Sequence, residues 1–166
     1  MNLPEDTGAS TDPLAIGWYG KLPGSGDFVT RRLPHAFLDP WDAWLRTVIA
    51  GSRALLGEGW QDAFLSMPAW RFVLGRGVAG EEAWAGLIIP SVDAVGRYFP
   101  LTAACRLPLR DINPLRTLCT ARLWYDELEP VVLGVLAPGA DRAAFDSELA
   151  RRRFNRDLIV CREPLE

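Results

Sequence analysis

Between Trp70 and Leu107 three runs with strand character follow one another with only turn-rich connections between them, and this succession commits the chain to a fold built around a sheet. Trp70-Arg71-Phe72-Val73-Leu74 alternates, Ala83-Trp84-Ala85-Gly86-Leu87-Ile88-Ile89 is almost continuously apolar and stops at Pro90, and Leu101-Thr102-Ala103-Ala104-Cys105-Arg106-Leu107 is the third run. The segment from Gly75 to Gly80 is a turn, so the first two runs are predicted to pair antiparallel.

Upstream, Ile16 to Lys21 reads as a short strand, and Leu22-Pro23-Gly24-Ser25-Gly26-Asp27 as a tight loop, since Pro and Gly supply turn chemistry. The clearest helix signal comes next. Asp39 is a good N-cap with Pro40 at the first helical position, and Gly57 closes the segment. Phe37, Trp41, Trp44, Leu45, Val48, Ile49, Leu55 and Leu56 recur at three- and four-residue steps, which predicts a single buried face. Gln61 to Met67 reads as a further helical turn ended by Pro68.

Asn113-Pro114 repeats the cap-plus-proline signal and predicts a helix to about Leu128, ahead of Pro130. Val131 to Ala137 fits a strand or a buried helix, Asp141 to Arg153 a helix with Phe145 and Leu149 inward, and Leu158-Ile159-Val160 an edge strand or a trailing end. The order strand, helix, three strands, helices lacks regular βαβ alternation. The expected fold is α/β, a three-layer α/β/α sandwich with a mixed, largely antiparallel sheet. Residues 1–14, rich in small and polar residues, are expected to be a disordered tail, and 15–166 a single domain.

Composition narrows the function classes. A length of 166 residues with 49% apolar content, seven Trp and seven Phe suffices for one real core. A net charge of −3 gives no general attraction to nucleic acid or anionic lipid. Lys21 is the only lysine, which reflects coding bias better than a binding role. Cys105, Cys119 and Cys161 have no C-x-x-C spacing, so neither a disulfide framework nor a zinc site is expected, and mostly buried, reduced thiols are the default. The polar, acidic start is unlike a signal peptide, and no run approaches the ~20 apolar residues of a membrane span. A cytoplasmic protein without direct membrane insertion is expected.

The catalytic inventory is poor. In Gly20-Lys21-Leu22-Pro23-Gly24-Ser25-Gly26-Asp27 the lysine precedes the glycines and Asp27 would repel phosphate, so a structural turn or partner-facing loop fits better than a phosphate loop. In Pro90-Ser91-Val92-Asp93-Ala94-Val95-Gly96-Arg97-Tyr98-Phe99-Pro100, Ser91 reads as a capping hydroxyl, and Asp93 with Arg97 has the spacing of a helical ion pair. The only histidine, His35, has no second His to share a metal and reads as a surface or capping residue. Asp39 and Asp42 are accounted for by the helix dipole. Arg151-Arg152-Arg153 reads as a solvated helix end, and Trp41, Trp44, Trp60, Trp70 and Trp84 as core, any exposed member being an interface anchor. No cofactor and no metal is expected.

Two groups of residues are distinctive together. Gly17-Trp18-Tyr19-Gly20-Lys21-Leu22-Pro23 with Gly26-Asp27-Phe28 resembles the opening signature of the TagF family of type VI secretion-associated proteins. Trp41-Asp42-x-Trp44-Leu45, Trp70-Arg71-Phe72 and Pro90-Ser91-Val92-Asp93-x-Val95-Gly96-Arg97-x-Phe99-Pro100-Leu101 resemble its further blocks, in the family's order, so the likeness spans roughly Ile16 to Leu107.

The resemblance implies an α/β sandwich and a non-enzymatic, post-translational repressor of the type VI secretion apparatus. Such a protein acts by contact with a scaffold component such as the forkhead-associated protein Fha. It implies no catalytic residues to transfer. Lys21, Gly26, Asp27, Ser91, Asp93 and Arg97 are the candidate partner-binding surface, since loops after strands present polar groups on a rigid scaffold. The alternative for the same residues is that Asp27 or Asp93 bonds Arg97 and holds the two loops together. The alternative function is a small phosphate- or nucleotide-binding enzyme using the Gly20–Asp27 loop and the Ser91–Arg97 segment.

Overall fold

All seven residues of Ala83–Ile89 are buried, and the rest of the fold is arranged to make that so. The computed structural model describes residues 14–107 and 112–154; the expected lead-in 1–13, Leu158 to Val160 and Cys161 lie outside the described residues. Five strands, β1 (Gly17–Gly20), β2 (Val29–Arg31), β3 (Trp70–Leu74), β4 (Ala83–Ile89) and β5 (Leu101–Leu107), form one sheet in the order β2-β1-β5-β4-β3. Every strand pairing among the described residues is antiparallel. The expectation of a largely antiparallel sheet therefore holds, but its mixed character is not observed. A parallel pair needs a long crossover between neighbouring strands, and here the helices connect strands on opposite edges or follow the last strand.

Alternate residues of the central strands enter two separate core clusters. Ala83, Ala85, Leu87 and Ile89 of β4, with Leu101, Ala103, Cys105 and Leu107 of β5, pack with Trp18 and with Trp124, Tyr125, Leu128, Phe145 and Leu149. Those five belong to helices α4 (Arg122–Gly134) and α5 (Arg142–Arg151). Trp84, Ile88, Ala104 and Tyr19 pack instead with Phe37, Leu38, Trp41 and Leu45 of α1 (His35–Leu56). The period of two along a strand divides one apolar run between these clusters. At Gly86 the division leaves no room: a Cβ there would sit 2.3 Å from the Ala103 carbonyl oxygen and 2.7 Å from Cζ of Phe72.

The helices depart from expectation at their ends. α1 begins a turn earlier than the Asp39-Pro40 signal, with Pro34 as its cap and Pro40 inside it. Proline cannot donate to the carbonyl four residues back. That carbonyl, on Ala36, is approached by Gly80, whose φ is +80° and where a Cβ would lie only 2.7 Å from the oxygen. The helix also does not bury one continuous face. Phe37, Leu38, Trp41 and Leu45 are buried, whereas Trp44, Val48, Leu55 and Leu56 are exposed; of the second half only Ile49 packs against the core cluster. A 3-10 turn (Gly57–Gly59) then leads into α2 (Trp60–Leu65).

Asn113 caps α3 (Pro114–Thr120) by accepting from the Arg116 N–H at 3.0 Å, as its sequence predicts. The predicted single helix to Leu128 is broken at Ala121, and Pro130 does not stop α4, which continues to Gly134. Burial of Leu128 and Val132 on either side outweighs the one backbone bond that Pro130 removes. The ambiguous stretch after Pro130 is accordingly helix for its first residues. Asp141 caps α5, accepting from the N–H groups of Ala143 (2.8 Å) and Ala144 (3.3 Å). Of the thiols, Cys105 is buried, but Cys119 is exposed, against the expectation for buried cysteines. β2, flanked by charged and proline residues, had no sequence signal; its pairing with β1 holds it in place.

Substituting Gly86→Ala is expected to cost about 3 kcal/mol through overpacking between β4, β5 and the Phe72 ring. A drop in the urea midpoint at unchanged m-value would show it, and an unchanged midpoint would refute the crowding.

Candidate functional site

The two signature segments meet at one end of the sheet, where β1 runs into the Leu22–Asp27 loop and β4 into the Pro90–Pro100 loop. Lys21 continues β1 and is buried, and its ammonium donates to Oδ2 of Asp93, itself buried. The same carboxylate oxygen accepts from Arg97 Nε at 2.7 Å, and Oδ1 accepts from the backbone N–H groups of Val95 (3.0 Å) and Arg97 (2.8 Å). Arg97 Nη2 reaches across to the carbonyl of Gly26. Ser91 Oγ donates to the carbonyl of Lys21 at 2.6 Å, and the Ala94 N–H to that of Ser25 at 3.0 Å. Four bonds between two loops some seventy residues apart make a clasp, with Asp93 at its centre.

Asp93 and Arg97 are thus an ion pair at four-residue spacing, but in a turn, not a helix: Val92 and Tyr98 form an antiparallel bridge, and the Asp93 N–H donates to the Arg97 carbonyl. Ser91 ties the two loops together; it does not cap a turn. Asp27 does not bond Arg97; its Oδ1 accepts from the Phe28 N–H at 2.8 Å, and it faces solvent with Gly24 and Gly26. Four of the six signature residues therefore lie inside the clasp or across it, and Gly26 and Asp27 lie on its outer rim with Ala94, Val95, Gly96 and the half-exposed Arg97 side chain.

Burial by itself would raise the Asp93 carboxyl, but the bonds from Lys21, from the Arg97 backbone and guanidinium and from the Val95 N–H outweigh it and hold the group well below the ordinary carboxylate range. The charge of Lys21 is consumed by this pair and by the ring of Phe28, 4.6 Å below the ammonium. Phe28 in turn stacks with Tyr19 and meets Phe99 edge to face. A second polar link lies beside these rings: the Tyr19 hydroxyl donates to Asp42 Oδ1 at 2.5 Å, and Arg46 donates to Oδ2 at 2.5 Å. Burial, then the bond to the Asp42 anion, pushes the Tyr19 phenol far up. Asp42 accordingly serves Tyr19 and Arg46, and the helix-dipole explanation does not apply, since α1 starts earlier.

Sequence reasoning missed Phe28, Tyr98 and the Tyr19–Asp42 link as parts of this assembly. Tyr98 sits on the clasp loop and packs its ring against Trp60 and Phe64 of α2. Each stood in a quoted block, but nothing in spacing says which ring meets which. Elsewhere, Arg151 and Arg152 pair with Glu148 and Phe154 is buried, while Arg151 and Arg153 are exposed, as expected of a solvated helix end. His35 is exposed, with Nδ1 3.9 Å from Asp39.

The sequence model described as TagF N-terminal domain, Type VI secretion system-associated, matches residues 17–152, the stretch that contains both loops of the clasp. The chain belongs to the TagF family. A crystal structure of PA0076 from Pseudomonas aeruginosa PAO1 is similar to this TagF domain at 42% sequence identity and a TM-score of 0.75, over 82% of the present chain and 62% of that one. The TagF domain described here thus spans under two thirds of that relative's length. No curated protein matches the chain.

Because the folded-state pKa of Asp93 is depressed, its contribution to stability is present above the unfolded carboxylate value of about 3.9 and is lost as pH falls toward the folded value. The stability difference between the wild type and Asp93→Asn should be constant from pH 7 to about pH 5 and shrink steadily below about pH 4. Urea titrations across that range check this; a difference independent of pH would show that the charge of Asp93 does not sustain the clasp.

Proposed function

We propose that this TagF domain is a non-enzymatic, post-translational repressor of the type VI secretion apparatus, acting by contact with a scaffold component of the Fha type through the rim of the clasp. The observation that carries the reading is the consumption of every charged group inside the clasp by another. Lys21 and Asp93 neutralise one another, and the Ser91 hydroxyl is directed at a backbone carbonyl with no base beside it. Such a site can hold a shape but has neither nucleophile nor general base free to act. Outside it, Gly26, Asp27 and Arg97 stand in solvent on a rigid support, as a recognition surface requires. Lys21, Ser91 and Asp93 then position that surface and do not touch the partner.

The same reading takes residues 15–166 as one three-layer α/β/α domain in the cytoplasm. The two core clusters that divide the strands, and the unpaired thiols of Cys105 and Cys119, support it. Among the described residues no helix is long and apolar enough to cross a membrane.

The test follows from what each residue does. Asp93→Ala would strand the Lys21 ammonium in the interior and is expected to lower Tm by on the order of 10 °C, so it reports on folding. Arg97→Ala removes a side chain that is 55% exposed but also donates to Asp93 and the Gly26 carbonyl, so near-ultraviolet circular dichroism and an unchanged Tm must first show that the clasp persists, held by Lys21, Ser91 and the backbone bonds. Its expected effect is at least a tenfold loss of Fha-type scaffold capture, with secretion released from repression. Unchanged capture and repression in the folded variant would remove the rim from consideration.

A further inference from the structure

The aromatic rings behind the clasp carry a second exposed arginine, and it comes from α1. The guanidinium carbon of Arg46 lies 5.4 Å from the centre of the Phe28 ring and 5.7 Å from that of Phe99. Phe28 directly follows Asp27 of the rim, and Phe99 stands two residues beyond Arg97. Arg97 reaches the same rings through Asp93 and Lys21, whose ammonium lies over Phe28. Two arginines some fifty residues apart in the chain thus stand at one assembly of rings.

Both are held in place and yet open. Arg46 Nε donates to Asp42 Oδ2 at 2.5 Å while its side chain is 45% exposed, and Arg97 Nε donates to Asp93. The carboxylate that holds each arginine is itself fixed from behind, Asp42 by the Tyr19 hydroxyl and Asp93 by Lys21. An ion pair so exposed contributes little to stability. What the arrangement achieves is preorganisation. A guanidinium pinned through Nε and laid on aromatic rings has given up its rotamer freedom before a partner arrives, and its outer N–H groups remain as a planar fork. Arg97 commits Nη2 to the Gly26 carbonyl. Arg46 commits only Nε, and among the described residues the one other polar group beside it is the Tyr19 hydroxyl, which already donates to Asp42.

The local charges fix the kind of group that this fork can take. Lys21, Arg46 and Arg97 are matched by the carboxylates of Asp93, Asp42 and the exposed Asp27, and Asp39 stands exposed three residues before Asp42. No surplus of positive charge is left to hold a phosphate dianion. A singly charged, planar carboxylate needs no such surplus and matches the fork with two parallel N–H···O bonds.

We infer that Arg46 belongs to the partner-binding surface, extending it from the clasp rim onto α1, and receives an aspartate or glutamate side chain of the partner protein. This deepens the reading of the rim as a protein-binding surface and rests on it.

Capture of the purified Fha-type scaffold by the full chain tests the contact, comparing Arg46→Glu, Arg46→Gln and Arg97→Ala, each first shown to be folded by near-ultraviolet circular dichroism. Arg46→Gln keeps most of the stem that covers the rings and carries the test if Arg46→Glu does not fold. The expected result is at least a tenfold loss for Arg46→Gln that shrinks as ionic strength rises, and a larger loss for Arg46→Glu. Changing one surface Asp or Glu of the scaffold to Arg, found by scanning its carboxylates, should restore at least tenfold of the capture lost by Arg46→Glu. A prop for Asp42 could not be rescued from the partner's side. A loss that neither ionic strength nor any reversal on the scaffold alters therefore overturns the contact. Unchanged capture by the Arg46 variants with a loss for Arg97→Ala overturns the extension onto α1 and leaves the rim standing. Unchanged capture by all three removes the two together.

Discussion

The constraint from which the rest follows is that β4 has no face it can show to water. Seven consecutive buried residues in the middle of a sheet require cover above and below. β5 beside it imposes the same demand, with Leu101, Ala103, Cys105 and Leu107 on one side and Ala104 on the other. The two sides are covered differently. On one, α4 and α5 bring Trp124, Tyr125, Leu128, Phe145 and Leu149 into close packing. On the other, the first half of α1 does most of the covering, and of its second half only Ile49 joins in. The clasp grows from the ends of β1 and β4, and Trp44, Val48 and Leu56 stand exposed on the side of α1 that the sheet does not cover.

The clasp shows how a buried ion pair acts as a locating device. Taking Lys21 and Asp93 out of water costs several kcal/mol for each ion, and their attraction returns that only when the remaining hydrogen-bonding capacity is met. Here it is met from three directions: the Arg97 guanidinium, two backbone N–H groups and the face of Phe28. The geometry is specified by the need to satisfy one carboxylate, and a loop set in any other position would leave a buried charge without a partner. Rigidity at the rim is a by-product of that requirement. Tyr98 extends it to α2 by packing on Trp60 and Phe64.

Much of this was legible in the sequence. Strands β1, β3, β4 and β5 follow from alternation, apolar runs and proline stops, and the cap at Asn113 works as its chemistry predicts. The bond from Arg97 to Asp93 that holds the two loops together was one of the two readings the sequence allowed, and Lys21 and Ser91 join it. Three things were not legible, each for a physical reason. Pro40 and Pro130 read as boundaries because local rules count only the lost hydrogen bond, while neighbouring burial outweighs it. β2 has no pattern of its own and exists by pairing. The exposure of Trp44, Val48 and Leu56 depends on how far α1 extends beyond its support; periodicity marks a face as apolar and says nothing about what lies opposite.

The position of β1 in the sheet has a consequence for timing. β1 lies between β2 and β5, and its pairing with β5 joins Gly17–Tyr19 to Thr102–Ala104. During synthesis the first strand must therefore wait, with only β2 and the start of α1 for company, until most of the chain has emerged. Contacts of such long sequence separation form slowly, and a strand waiting for its partner exposes an unpaired edge. The short β1–β2 hairpin, with the turn-rich loop between its strands, gives the waiting strand one occupied side. Once β5 arrives the other side closes, and Lys21 is held where Asp93 can reach it, so the clasp is a mark of a completed sheet.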